Sequence, residues 1–125
     1  MIHLDTHAAV WLYTGEIERF PPSLRDRLAA SRPYVSPMVR LELALLYEIG
    51  RLTVTPAELL DTLSGYCGLR LAESDFVRVS QIAATLRWAR DPFDRVIAAH
   101  AMADDLPLVT RDTTMLAHCP VAVWD

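Results

Sequence analysis

Short apolar runs alternate along this chain with longer stretches of helical period. Ile2–Leu4, Tyr34-Val35, Leu69–Leu71, Leu106–Val109 and Val121–Trp124 read as brief strands between polar or turn residues. Ala8–Tyr13 has helix-compatible composition, and Ser23–Ala30 carries Leu24 and Leu28 on one helical face. Ser36-Pro37 supplies a cap and a first-position proline for a helix that runs to Ile49 and stops at Gly50. Within it Val39, Leu43, Leu46 and Ile49 mark a core stripe that Leu41 and Leu45 widen. Thr55-Pro56 opens a helix reaching about Ser64, after which Gly65 and Gly68 break the chain. Ser74–Trp88 reads as a helix, with Phe76, Val79, Ile82, Ala83 and Leu86 near helical spacing.

The next stretch, Arg90 to Ala101, organises the rest. Asp91 fits a helix N-cap and Pro92 the first helical position, because a cap accepts orphan N–H bonds and proline has none to satisfy. From Val96 to Ala103 apolar residues fall on nearly every face, interrupted by His100, so this helix is packed on several sides. Asp94 sits in the first turn, favoured by the helix dipole and spaced for a capping-box-like pair with Asp91.

Strands alternating with helices imply a parallel sheet covered on both faces through right-handed crossovers. The expected fold is a three-layer α/β/α sandwich around a short-stranded, mainly parallel sheet, formed as one domain over residues 1–125. In such a sheet Asp5 and Asp112, each directly after a strand, share the carboxyl edge where open α/β sheets collect ligands. The helices carrying Glu42 and Asp91 lean over the same edge. Four carboxylates from four segments thus converge, and Glu42, lying between apolar positions, needs a partner for its expected half-burial.

Composition narrows the chemistry. At 52% hydrophobic and 22% charged, the 125 residues suit a folded domain, and no apolar run approaches the roughly 20 residues that span a bilayer. Met1–Asp5 has no basic region, and the Asp5 carboxylate would interrupt the apolar stretch of a signal peptide, so a cytoplasmic location is expected. Cys67 and Cys119 stand far apart without zinc-site spacing and are expected as reduced structural thiols. All twelve basic residues are arginine, which excludes phosphate-binding or catalytic lysine chemistry, including the P-loop. The net charge of −4 argues against coating nucleic acid in bulk, although arginines on one face could still track phosphates.

Crowded carboxylates repel unless a proton or cation intervenes, and an oxygen-only donor set favours Mg²⁺ or Mn²⁺ over zinc. Such sites typically activate water for attack on phosphorus, which points to phosphodiester hydrolysis.

Leu4-Asp5-Thr6-His7, Glu42 after Ser36-Pro37, Asp91-Pro92-Phe93-Asp94-Arg95 with Ile97-Ala98-Ala99, and Val109-Thr110-Arg111-Asp112 together resemble a PIN-domain ribonuclease. More narrowly the chain resembles VapC-type toxins of toxin–antitoxin pairs, over its whole length and including the Ile49–Leu52 turn. The resemblance implies metal-binding acids at Asp5, Glu42, Asp94 and Asp112, with Asp91, Thr110 and Thr6 in accessory positions. Asp94 is preferred to Asp91 as direct ligand because it leads into Ile97-Ala98-Ala99. It further implies a transfer or ribosomal RNA substrate, Mg²⁺ or Mn²⁺, a VapB-type antitoxin, a homodimer within a higher assembly, and DNA contact only through the antitoxin. No membrane partner is expected.

Each acid also has a local explanation. Asp5 caps the helix near His7, Asp112 caps Thr113–Ala117, and Glu42 pairs with an internal arginine; in family order the shared metal site is the stronger reading. Arg95 and Arg111 flank site acids and are candidate phosphate contacts, set against simple ion pairing. Trp11, Trp88 and Trp124 read as core or dimer contacts before stacking platforms, and His7 and His100 as packed or solvated residues. A phosphatase-like hydrolase with Asp5 as nucleophile fits poorly, since His7 stands where that class has a second aspartate, and lysine is absent. The other alternative is a catalytically silent PIN-like binding module.

Overall fold

The apolar run Ile2–Leu4 forms β1 at the centre of a five-stranded sheet. The other strands are β2 (Pro33–Val35), β3 (Arg70–Leu71), β4 (Leu108–Val109) and β5 (Ala122–Val123). The order is β3-β2-β1-β4-β5 with every pairing parallel, so the sheet is wholly parallel. The computed structural model describes residues 1–125. Seven helices connect and cover the strands in an α/β/α arrangement: α1 (Thr6–Thr14), α2 (Pro22–Ala30), α3 (Pro37–Glu48), α4 (Pro56–Cys67), α5 (Phe76–Thr85), α6 (Pro92–Asp104) and α7 (Thr113–His118). A short 3-10 turn, Ile17–Arg19, follows α1. No helix is long and apolar enough to cross a membrane.

The chain moves outward from β1 to β2 and β3 on one side, then returns to place β4 and β5 on the other. The direction of travel therefore reverses between β1 and β4. Loops leaving the carboxyl ends of such a strand pair part to opposite sides, which opens a crevice there.

Small side chains let helices press onto this short-stranded sheet. Ala8 and Ala9 of α1 and Ala98, Ala99 and Ala101 of α6 are fully buried, together with Ile97. Burying Ile97 contributes about 1.5–3 kcal/mol, and its neighbours add close packing on several faces of α6. His100, the polar interruption in α6, is buried and shares a 2.6 Å hydrogen bond between its Nδ1 and the Ser36 hydroxyl. His3 is fully buried in β1, with Nε2 2.6 Å from Oδ2 of Asp104, whose other oxygen accepts from Ser74. These bonds tie the far end of α6 to the sheet and to the segment preceding α5.

Several expected boundaries shift. α4 continues through Gly65 to Cys67 and ends at Gly68, whose φ of 71° supplies the left-handed C-cap. α5 starts at Phe76, behind an Asp75 cap, because Ser74 is engaged by Asp104. It ends at Thr85, short of Trp88. On α3, Val39 and Leu43 are buried, but Leu41, Leu45 and Ile49 are 51%, 41% and 65% exposed. Periodicity identifies their common face without saying what covers it. Phe76, also expected in the core, is 61% exposed and lines an apolar groove with Met38, Leu41 and Val96.

Candidate active site

β1 and β4 deliver the first two acids. Leu4 pairs with Val109 in register, and the Asp5 amide donates to the Val109 carbonyl at 3.1 Å, so Asp5 leaves the sheet beside Thr110. Asp5 caps α1 with Oδ1 accepting from the Ala8 amide at 2.8 Å. Asp112 caps α7 in the same manner, accepting from the Met115 amide at 2.9 Å. Thr110 is fully buried, and its hydroxyl accepts from the Asp112 amide at 3.1 Å, which fixes the turn between strand and cap.

The other acids come from the covering helices. Asp91 caps α6 through Oδ1, 2.7 Å from the Phe93 amide and 3.4 Å from that of Asp94. The reciprocal half of a capping box, from the Asp94 carboxylate back to Asp91, is not formed. Glu42 is half-buried on α3, and its partner is the Thr6 hydroxyl, which donates to Oε1. No arginine pairs with it.

Asp5, Glu42, Asp91, Asp94 and Asp112 line one cavity of about 330 Å³, together with Thr6, His7, Trp11, Ile97 and Arg111. All four expected metal-binding acids therefore face the crevice between β1 and β4, and Asp91 stands at its exposed rim. Arg95 does not line it; the Arg95 Nε donates to the Ala89 carbonyl at 2.5 Å and braces the loop before α6. A larger cavity of about 500 Å³ near β3 is lined by Tyr34, Arg40 and Arg70 among others, and holds none of these acids.

Negative charge in the crevice outweighs Arg111, the one arginine that lines it. Burial, then the charges of Asp91, Glu42, Asp112 and Asp5, push the Asp94 carboxyl up to about 7. Burial also raises the Asp5 carboxyl, against hydrogen bonding from the Thr110 hydroxyl and the Ala8 amide. A proton or a cation must relieve this repulsion. The donors are all carboxylate oxygens from separate elements, which suits a hard divalent ion such as Mg²⁺ or Mn²⁺ and not zinc. No three His, Cys, Asp or Glu side chains already stand as a closed ligand set. Three of the acids hold cap amides through one oxygen, and Glu42 is turned onto Thr6.

The sequence reading missed Trp11 as part of this crevice. His7 and Trp11 lie four residues apart in the first turns of α1, on the face opened by the Asp5 cap, and that spacing was the available signal. Trp11 also packs edge-on to Phe20 and Trp124, so its expected core role is present beside the new one.

Comparison with known proteins bears on the fold and the family. The whole chain superposes on VapBC2 from Rickettsia felis, solved bound to a DNA fragment from their promoter, with 20% identity, 100% of both chains covered and a TM-score of 0.68. A toxin–antitoxin complex from Klebsiella pneumoniae matches at 17% identity over 98% of this chain and 96% of that one, TM-score 0.63. DNA-bound VapBC from Salmonella typhimurium matches at 23% identity over 98% and 96%, TM-score 0.61. At these identities the likeness establishes the fold. No curated protein matches in sequence. The PIN domain profile matches residues 2–119, which takes in the crevice and all five of its acids, and the chain belongs to the PIN domain family.

Proposed function

We propose that this protein is a divalent-metal-dependent endoribonuclease acting as a VapC-type toxin. PIN domains are nucleases, and PIN nucleases usually use divalent metals. The observation that carries the reading is the crevice itself. Asp5, Glu42, Asp94 and Asp112 arrive from four elements at the point where the strand order reverses, and burial together with the surrounding acids pushes the Asp94 carboxyl up to about 7.

These four acids would hold Mg²⁺ or Mn²⁺, with Asp91, Thr6 and Thr110 in support. When bound, such an ion acidifies water for attack on phosphorus and offsets charge on the phosphate. The chain's own contribution is orientation. Thr6 aims Glu42, Thr110 fixes the turn that delivers Asp112, and the Asp91 cap sets where α6, and hence Asp94, begins. The Asp94 carboxyl, pushed up to about 7, divides between its protonated and charged forms near neutral pH, and a bound cation would favour the charged form.

The partner reading is a cytoplasmic VapB-type antitoxin, with DNA reached through it and transfer or ribosomal RNA as substrate. The matched VapBC and toxin–antitoxin complexes support an antitoxin. A homodimer is proposed through the exposed apolar face of α3, where Leu41, Leu45 and Ile49 follow at helical spacing. Residues 1–125 are proposed as a single PIN domain, of which the family profile covers 2–119.

The test is cleavage of RNA by purified protein with Mg²⁺ or Mn²⁺ and with EDTA. The proposal expects metal-dependent endonucleolytic products that Asp5→Asn and Asp94→Asn abolish while both variants stay folded. Full activity in either variant, or equal cleavage in EDTA, contradicts it.

A further inference from the structure

Five carboxylates line the crevice, and Arg111 is the one residue of permanent positive charge among its lining. An arginine beside so many acids ordinarily collapses onto one of them. Arg111 does not: it makes no ion pair, and its guanidinium lies 4.8 Å from the centroid of the Trp11 ring. That distance is within the range of a cation–π contact. Trp11 is itself held by edge contacts with Phe20 and Trp124 at ring separations of 6.1 and 5.9 Å, so the platform is fixed. Arg19 also lies over Trp11, at 5.2 Å, but its charge is matched by Glu16 at 3.1 Å.

We infer that Arg111, propped on Trp11, is the site's anchor for a phosphate of single-stranded RNA next to the one that is cut. The identity of the ligand rests on the nuclease reading. A polyanion entering a crevice of five acids is repelled unless a cation meets it at the mouth, and Arg111 is exposed there with all its donors uncommitted. The indole does two things. It holds the guanidinium plane where it can fork onto phosphate oxygens, and it keeps Arg111 from falling across the acids. Trp11 is thus a positioning residue that acts through Arg111. The two flanking arginines part company here, since Arg95 is spent on the Ala89 carbonyl outside the crevice. A single strand is favoured over a duplex because its backbone and bases can bend into a narrow crevice beside an aromatic side chain.

The experiment measures binding of a short 5′-fluorescent single-stranded RNA by anisotropy over a range of salt, in EDTA and in Mn²⁺, with steady-state cleavage in parallel. Arg111→Ala is expected to weaken binding roughly tenfold, the order of one charge-assisted contact, and to lower the log–log salt slope by about 0.7. Its KM rises while kcat holds. Arg111→Lys keeps the slope, and Arg95→Ala leaves both slope and KM unchanged. Trp11→Phe retains a ring face and stays close to the parent, whereas Trp11→Leu raises KM and weakens Mn²⁺ binding as Arg111 drops onto the acids. An unchanged affinity and slope in Arg111→Ala overturns the inference even if the protein cleaves RNA. Arg111-dependent binding without metal-dependent cleavage keeps Arg111 as a phosphate anchor and removes the nuclease reading, and with it the adjoining cut phosphate. If the parent protein neither binds nor cleaves RNA under either condition, both are wrong.

Discussion

The Thr6 hydroxyl donates to Glu42, joining the first residue of α1 to the middle of α3. Thr6 is buried directly behind the Asp5 cap, so a single dipeptide supplies one acid and aims another. Thr6→Val keeps the shape and removes the donor. It is expected to weaken metal binding about 10- to 100-fold, the usual effect of losing a hydrogen bond that orients a ligand. Titration of Mn²⁺ against activity checks this; an unchanged midpoint means Glu42 does not need its prop.

Asp94 makes the metal-free protein sensitive to pH. Its folded carboxyl titrates at about 7, far above its ordinary 3.8. Between those values the unfolded chain has released a proton that the folded chain retains, so stability falls as pH rises through this window and levels off above it. Thermal melting in EDTA from pH 4 to pH 8 should show that decline after allowance for other groups. Asp94→Asn should flatten the decline and melt higher than the parent at pH 8. A parent and variant with parallel profiles would mean that neither burial nor the neighbouring acids raise the Asp94 carboxyl.

The His3–Asp104–Ser74 connection lies at the opposite end of α6 from Asp94, about 15 Å along the helix. His3 Nδ1 is buried without a partner, and burial holds its imidazole below the usual range in spite of Asp104. Asp104→Ala leaves Nε2 unpartnered too. It is expected to cost about 1–3 kcal/mol in denaturant unfolding, with cleavage per folded molecule unchanged.

The exposed stripe on α3 makes its own prediction. Leu45→Glu places a charge at the centre of the face bearing Leu41 and Ile49. Light scattering should report a dimer for the parent and a monomer for the variant, which should still fold because Leu45 is 41% exposed. A variant that remains dimeric assigns the interface elsewhere.

What could be read in the chain was mostly local chemistry. Asp91-Pro92 announced the start of α6, and Asp5 and Asp112 announced themselves as residues that end a strand and cap a helix. The local explanations and the shared site proved compatible, since each cap uses one carboxylate oxygen for its amide. Strand order was not readable, because pairing β1 with β4 depends on contacts about a hundred residues apart. Separations of 101 and 64 residues likewise hid the pairing of His3 with Asp104 and of Ser36 with His100. Leu41, Leu45 and Ile49 have the period of a buried stripe, and period alone does not distinguish a core from an uncovered face. Gly65 failed as a helix breaker because the left-handed cap falls three residues later, at Gly68.

The central claim is that the acids of this crevice bind a divalent cation together. Its most direct measurement is the melting temperature of the parent and of Asp94→Asn, each with EDTA and with saturating Mn²⁺, at one pH. Mn²⁺ at a hundred times its dissociation constant should stabilise the parent by about 2.7 kcal/mol, a rise of several degrees, and should move Asp94→Asn little. No Mn²⁺-induced rise in the parent, or an equal rise in both proteins, would contradict the account.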